Sequence, residues 1–237
     1  QLAFVIVGLP ALLLASLVAG IREPARQDLN QSLDAGSARE AFAAALKYMR
    51  NRWQAYSSLT IGLSANTIIG YVASWNVVLF QRRWDWKIDD IGLALGLVLL
   101  VFGPLGTLLG GAAADRLARA GHKDSAMRIT IGGIIGMVVF STLYPIASSP
   151  AVVLSFFALT VLGGAAAAAS GAVALVTISA NQVRAQATAL YWIVKNLAGL
   201  MLGPVSVGFL TDRVFGDPNK VGSSMAVTSV VFGAVGI

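Results

Sequence analysis

The sequence predicts an all-α membrane protein, and three features of its composition and pattern lead to that fold class. Of the 237 residues, 57% are hydrophobic and only 12% are charged, about half the charged share of soluble domains. Long apolar runs recur along the chain, and about 20 apolar residues in a helix cross a bilayer core. These runs are too long for transmembrane strands and lack the alternation that such strands require.

Seven apolar runs are long enough, or nearly so, to be transmembrane helices. They cover residues 2–21, 55–80, 91–114, 127–147, 151–180, 186–211 and 222–237. The chain begins at Gln1, already in an apolar run, and it ends within another one. We therefore expect a fragment of a larger membrane protein rather than a cleaved signal peptide at the start.

Residues 22–54 are the extended polar segment between the first two runs. Within it, Phe42, Leu46, Met49 and Trp53 recur at helical spacing, which predicts an amphipathic helix over residues 39–53. Such a basic helix either lies among the lipid headgroups or simply leads into the next span.

The basic residues predict the orientation of the spans. The net charge is +6 and the pI is near 10, but the charges fill short gaps rather than one polar face, which excludes nucleic acid as the partner. Eleven of the 17 Lys and Arg residues lie in or beside the first, third and fifth gaps, and five in the others. The positive-inside rule places residues 22–54, 115–126 and 181–185 in the cytoplasm.

The sequence argues against an enzyme. It has no cysteine and a single histidine, His122, in a predicted loop. It has no phosphate-binding loop, nucleophile elbow or cluster of metal ligands. We predict no catalytic residue, no metal and no cofactor.

Two of the runs resemble each other. "FGPLGTLLGGAAADR" and "LGPVSVGFLTDR" each contain Gly-Pro, at Gly103-Pro104 and at Gly203-Pro204, and each ends in Gly-x-x-x-Asp-Arg. The two runs cross the membrane in opposite directions, as in the inverted repeats of three helices that build secondary transporters.

The stretch from Gly111 to Arg119, which reads "GAAADRLAR", resembles the Gly-x-x-x-Asp-Arg-x-x-Arg motif of the major facilitator superfamily. That motif follows the second and the eighth helix of the family's twelve. The resemblance implies the sixth helix at residues 1–21, the central cytoplasmic loop at 22–54 and a C-terminal bundle of helices seven to twelve at 55–237. It also implies that the partner of this bundle is an N-terminal six-helix bundle outside this sequence.

Two further stretches resemble the spinster-like branch of that superfamily: "GIREPAR" and "RAQATALYWIVKNLAGLMLGPVSVGFLTDRVFGD". The resemblance implies proton-linked, alternating-access transport of an amphipathic lipid-like or organic-anion substrate in an inner or plasma membrane. Drug and sugar-acid carriers contain similar stretches, and a non-transporting receptor or a channel is the alternative from another class. All 11 acidic residues lie outside the apolar runs, so a proton-coupling acid is expected elsewhere.

Gly111, Asp115, Arg116 and Arg119 are the predicted gate. An aspartate after a membrane helix can face the positive end of a neighbouring helix, while the arginines pair with acids or with lipid phosphates. Contacts of this kind form only when the cytoplasmic ends are together, which biases one conformer. The alternative is a solvated stop signal.

Lys195 is the one charge in the interior of an apolar run, since Arg128 lies at the start of its run, and such charges face a cavity or a partner. An ammonium there suits a phosphate or carboxylate headgroup; the alternatives are snorkelling or pairing with an acid of the other bundle. A polar stripe on the second run faces a cavity or only packs against helices. The predicted substrate-binding residues are Asn66, Thr67, Tyr71, Trp75, Tyr191, Lys195 and Asn196.

Gly199, Gly203 and Pro204 resemble a Gly-Pro motif that antiporter members of the superfamily carry on their fifth helix. They form either a pliable hinge or a close contact between helices. The small residues at 162–172 predict close helix packing.

Overall fold

The computed structural model describes residues 15, 16, 18, 38–181 and 183–237. Residues 1–37 and 38–237 form separate units. In the first unit Ala15, Ser16 and Val18 are helical; the remainder of the predicted run 2–21 and the polar residues 22–37 lie outside the described residues. The architecture below is that of the second unit.

The described part of the second unit is helical, without strands. The helices are α1 (Ala38–Asn51), α2 (Trp53–Val72), α3 (Asn76–Trp84), α4 (Ile88–Arg119), α5 (Ser125–Leu143), α6 (Pro150–Ile178), α7 (Arg184–Phe209) and α8 (Val221–Gly236). Three 3-10 turns accompany them: Ala73–Trp75 joins α2 to α3, Tyr144–Ile146 extends α5, and Pro218–Lys220 precedes α8. The π-helical turn Leu210–Phe215 extends α7.

Five described segments are long and apolar enough to cross a membrane. They are Trp53–Trp84, Ile88–Arg119, Ser125–Ile146, Pro150–Ile178 and Arg184–Phe215, which confirms five of the predicted spans. The helix α8, with 16 residues, is shorter. Short connections make consecutive spans antiparallel. The end of the bundle at which α2 begins is called the α1 end. The opposite end, at which α3 finishes, is called the α3 end.

Several predicted boundaries are wrong by a few residues. The prediction ended the third run at Ala114 and placed residues 115–126 in a loop, but α4 continues to Arg119. Alanine, leucine and arginine favour helix, and Arg116 and Arg119 in the last turn interact favourably with the negative end of the helix dipole. The connection is therefore only residues 120–124, and the predicted gate residues lie on the helix itself.

The amphipathic helix α1 begins one residue before its predicted start and ends at Asn51 instead of 53. Ala45 is buried, whereas Phe42 and Leu46 are exposed. Trp53, predicted as the last apolar residue of this helix, instead begins α2. The break between α1 and the span Trp53–Trp84 therefore lies at Arg52.

Small residues bring the helices into close contact, as predicted for residues 162–172. A Cβ atom on Gly133 of α5 would lie 2.7 Å from the carbonyl oxygen of Gly163 in α6. A Cβ atom on Gly110 of α4 would lie 2.8 Å from Ala166 Cα. Since Cβ atoms do not approach a neighbouring backbone so closely, α4 and α5 can pack on α6 at this distance only through glycine.

Two apolar clusters form the core, one towards each end of the bundle. The cluster towards the α1 end contains Tyr56, Leu59, Leu63, Ala174, Leu175, Ala187 and Tyr191. The cluster towards the α3 end contains Val72, Leu79, Phe80, Ile91, Tyr144, Val153, Phe157, Val207, Val221 and Met225. The polar residues of α2 between Leu63 and Val72 therefore lie between the two clusters.

The helices α4 and α7 leave large apolar side chains uncovered. An apolar surface of this extent requires lipid or another protein segment to cover it. The exposed residues include Leu93, Leu97, Leu100, Leu108, Ile193, Leu197, Leu200 and Val205.

Candidate functional site

A cavity of about 380 Å³ lies among α2, α4, α5, α6 and α7. Its polar wall is formed by Asn66, Thr67 and Tyr71 of α2 together with Lys195 of α7. The rest of the wall is mainly apolar, with Leu99, Met137, Tyr144, Phe157 and Val161 among its residues. Ligand sites commonly have this composition, in which a few polar groups converge within an apolar cavity.

Lys195 brings a cationic side chain to this wall. It lies near the middle of α7 and is only 7% exposed. Its Nζ atom stands 3.6 Å from the centroid of a Trp192 ring and 5.2 Å from that of the Tyr191 ring. Aromatic faces attract an ammonium group. Among the described residues no carboxylate forms an ion pair with Lys195, so an anion would displace no acid of this bundle.

Asn66 offers a hydrogen-bond acceptor to the same space. It is 8% exposed, and its Oδ1 atom has no partner among the described residues. The backbone of Gly164 on α6 lies opposite, so close that a Cβ there would be 3.7 Å from Oδ1. Thr67 differs, because its Oγ1 already donates to the carbonyl oxygen of Leu63 at 2.8 Å. Buried polar groups normally find partners. The unpaired Oδ1 of Asn66 therefore indicates that a ligand or a water molecule binds there.

The span Trp53–Trp84 is interrupted beside the cavity. The turn Ala73–Trp75 separates α2 from α3, and Ala73 lines the cavity. Trp75 donates its indole Nε1–H to the carbonyl oxygen of Pro204 at 3.1 Å. A 3-10 stretch within a helix often marks a functional hinge. Trp75 thus joins this turn to α7 and does not line the cavity.

Gly199 and Gly203 lie where α7 meets α2. A Cβ atom on Gly199 would lie 2.6 Å from Thr67 Cγ2, and one on Gly203 would lie 2.7 Å from the carbonyl oxygen of Ile68. The helix α7 continues through Pro204. In this conformation Gly199 and Gly203 therefore form a close contact between helices, which is one of their two predicted roles. The other role, a hinge, remains a prediction.

The structure brings four of the seven predicted substrate-binding residues together on the cavity wall. The other three lie beside it: Trp75 binds Pro204, Tyr191 packs in the cluster towards the α1 end, and Asn196 Nδ2 donates to the carbonyl oxygen of Trp192 at 2.8 Å. The Tyr191 hydroxyl is buried and has no partner within the described part of the chain. Their predicted roles in substrate binding remain predictions.

Part of the cavity wall could not be predicted from the sequence. Tyr144, Phe157 and Thr160 line the cavity. In the sequence, Phe157 and Thr160 resemble ordinary core residues. Thr160 donates to the carbonyl oxygen of Phe156 at 2.9 Å and so resembles any threonine within a helix. Tyr144, a single tyrosine before Pro145 at the end of an apolar run, was the one available signal.

The predicted gate residues lie on the last turns of α4, at the α1 end. Gly111, Asp115, Arg116 and Arg119 are all exposed. A Cβ on Gly111 would meet no described atom within 4 Å. Arg119 Nε donates to the backbone carbonyl of Asp115 at 3.3 Å, and the Asp115 carboxylate makes no ion pair with any described residue. These four residues therefore have no packing role within the described bundle.

The nearby Asp124 has a different environment. Arg128 donates from Nε to Asp124 Oδ2 at 2.9 Å, and this hydrogen bond lowers the pKa of the Asp124 carboxyl below its usual value. Because folding lowers this pKa, the pair stabilises the fold at neutral pH, and the contribution is lost as the pH falls through the pKa in the folded protein. Both side chains are exposed, so this contribution is small.

The sequence profile of the Major Facilitator Superfamily matches residues 1–204. A crystal structure of a bacterial homologue of the human lysosomal transporter Spinster, inward-facing and unoccupied, is 18% identical with a TM-score of 0.64. The alignment covers 99% of this chain and 56% of that one.

A second structure of a bacterial Spinster homologue, inward-facing and occupied, is 17% identical with a TM-score of 0.60 and covers 98% of this chain and 54% of that one. At such identity the likeness shows the fold alone, and it confirms the predicted helical fold. This chain spans little more than half the length of these two structures. No curated protein matches the sequence.

Proposed function

Because the chain belongs to the major facilitator superfamily, a superfamily of membrane transporters, we propose that it is the C-terminal half of a spinster-like secondary transporter for an amphipathic anion. Membership makes it a multi-pass integral membrane protein and a transporter rather than an enzyme. In this proposal residues 1–21 are the sixth helix, 22–54 the central cytoplasmic loop and 55–237 the C-terminal bundle. The N-terminal bundle would complete the substrate site.

The buried side chain of Lys195 is the observation that carries the substrate class. Its ammonium lies on a largely apolar cavity wall without an ion-pair partner in the described residues. A charge in such a position is costly unless a partner or ligand offsets it. A substrate with an anionic headgroup and an apolar tail would satisfy both parts of the wall, and lysophospholipids have this chemistry.

Proton coupling is proposed from the family resemblance, and its acidic group is expected in the N-terminal half. The described acids within the spans lie at the ends of helices: Asp89 and Asp90 in the first turn of α4, Asp115 near its end, and Asp212 in the turn after α7. None of them lines the central cavity. A proton-binding group at the substrate would therefore come from the other bundle.

Alternating access would open the cavity to one side of the membrane at a time. We propose that the α1 end faces the cytoplasm and that Asp115 binds the N-terminal bundle in the conformer closed on that side. The exposed carboxylate and the space around Gly111 support this role.

The test is uptake by the full-length transporter in proteoliposomes, with and without a pH gradient. The substrates are lysophosphatidylglycerol and a monoacylglycerol with the same acyl chain, which lacks the phosphoglycerol headgroup and its negative charge. We expect saturable, gradient-driven uptake of the anionic lipid. Lys195→Ala should lower its affinity about tenfold, because one charged contact is lost, while Lys195→Arg retains much of it.

Lys87→Ala is the matched control, because Lys87 is exposed and lies away from the cavity. Equal uptake of both lipids, or unchanged affinity in Lys195→Ala, would contradict the anionic substrate and favour a carrier of neutral drugs or sugars. Non-saturating current would indicate a channel instead.

A further inference from the structure

A second cavity, of about 440 Å³, lies at the α3 end of the bundle and shares no lining residue with the central cavity. The end of α3, the turn after α5 and the segment that begins α8 form its walls. Three of its lining residues are cationic: Arg82, Arg83 and Lys220. All three are exposed, so the cavity is accessible from outside the bundle.

The three cations have no acidic partner among the described residues. Within the described part of the chain, no carboxylate oxygen lies within 4.0 Å of a nitrogen of Arg82, Arg83 or Lys220. The helix α8 begins at Val221, on the wall of the cavity, and its positive dipole end adds to the same potential. Several positive groups around one cavity favour the binding of an anion.

Backbone carbonyls hold both guanidinium groups in place. Arg82 Nη1 donates to the carbonyl oxygen of Pro218 at 2.7 Å. Arg83 donates from Nη1 to that of Pro145 at 3.1 Å and from Nη2 to that of Ile146 at 3.4 Å. A guanidinium carries five N–H donors, so each group keeps donors for a ligand. These bonds orient the planar groups before any ligand arrives.

Aromatic residues beside this cavity are consistent with a position at the depth of the lipid headgroups. The Arg83 guanidinium lies 5.0 Å from the centroid of the Trp84 ring, and Trp86 follows in the same connection between spans. Both tryptophans are half-buried. Tryptophan is enriched where membrane spans meet the aqueous phase. Phosphate groups of lipids occupy that layer.

We propose that Arg82, Arg83 and Lys220 form a binding site for a phosphate-bearing anion, separate from the substrate cavity. Paired guanidinium groups match the geometry of phosphate oxygens, and a lysine adds a point charge. The phosphate belongs either to a lipid headgroup in the leaflet at the α3 end or to a soluble phosphate. The chemistry of recognition is the same for both sources.

The experiment measures ligand-dependent thermal unfolding of the full-length protein in detergent. Separate titrations use phosphatidylglycerol, phosphatidylcholine and inorganic phosphate. Phosphatidylglycerol should raise the unfolding midpoint at lower concentrations than phosphatidylcholine, which carries a choline cation. Lys220→Gln should raise the half-saturating concentration of phosphatidylglycerol about tenfold.

Two further variants keep the outcome interpretable. Lys220 makes no side-chain hydrogen bond in the described structure, so Lys220→Gln removes charge without breaking a contact, whereas the double variant Arg82→Gln/Arg83→Gln also loses the bonds to carbonyls. Lys87→Gln, at the same end but outside the cavity, is the control and should behave as wild type.

If inorganic phosphate alone shifts the midpoint and the same substitutions weaken that shift, the site is confirmed with a soluble ligand. Equal shifts with phosphatidylglycerol and phosphatidylcholine, without any shift from inorganic phosphate, would overturn the proposal. An unchanged half-saturating concentration in both Lys220→Gln and the double variant would also overturn it.

Discussion

Trp192 and Lys195 form one unit at the residue scale, because the indole ring lies against the ammonium group at 3.6 Å. Trp192 is itself 46% exposed, so its ring contributes little to the packed core. The interaction therefore restrains the lysine side chain more than it stabilises the fold. A restrained cation loses less freedom when it binds an anion.

We expect Trp192→Leu to raise the KM for an anionic lipid substrate by up to about tenfold, since a cation–π contact is worth about 0.5–2 kcal/mol. Trp192→Phe keeps an aromatic face and should retain most of the affinity. Uptake kinetics in proteoliposomes measure both. Thermal unfolding should be nearly unchanged, and an identical KM in the leucine and phenylalanine variants would exclude the restraint.

At the scale of helices, adjacent glycines of α4 have different surroundings. Gly110 is buried against Ala166, whereas Gly111 faces open space in the described bundle. Glycine in a helix costs about 1 kcal/mol relative to alanine, so Gly110 is explained by packing on α6. Gly111 has no such explanation here, which supports its proposed contact with the N-terminal bundle.

Gly110→Ala should lower the free energy of unfolding by about 1–3 kcal/mol, because the added methyl group would collide with the α6 backbone. Gly111→Ala should leave stability unchanged or raise it slightly, yet slow transport if the two bundles meet there. Thermal unfolding and uptake, measured on both variants, separate packing from gating. Equal loss of stability in the two variants would contradict this distinction.

Hydropathy was sufficient to predict the five confirmed spans and to single out Lys195, because a charge within an apolar run is conspicuous. It could not predict the interruption at Ala73–Trp75, since these residues include neither glycine nor proline. There the chain forms a tertiary bond, from the Trp75 indole to Pro204. The cavity residues Met137 and Phe157 were equally hidden, because an apolar residue looks the same in sequence whether it faces a core or a ligand.

For the whole transporter, the proposed gate predicts a change in the balance between conformers. Asp115→Asn keeps the size of the side chain but removes the charge that would bind the N-terminal bundle. We expect the end that carries Asp115 to open more often. This part of the protein has no cysteine, so Ala118→Cys, at an exposed position on the same helix end, can report the opening by its rate of thiol labelling.

Labelling of Ala118→Cys should be faster when Asp115→Asn is also present. Asp124→Asn is the matched control, since that exposed acid pairs with Arg128 one turn away in sequence and should leave the labelling rate unchanged. Labelling and transport that are both unaffected by Asp115→Asn would leave Asp115 as a solvated residue at the end of a helix.

Lys195 also has an electrical consequence. Its position near the middle of α7 places it within the voltage across the membrane, and moving one elementary charge through 100 mV changes the free energy by about 2.3 kcal/mol. No described carboxylate neutralises it, so an ammonium there gives the described bundle a positive charge in the field. A bound monoanion cancels that charge. The part of the voltage dependence that Lys195 contributes would then fall on the return of the empty carrier rather than on the loaded step.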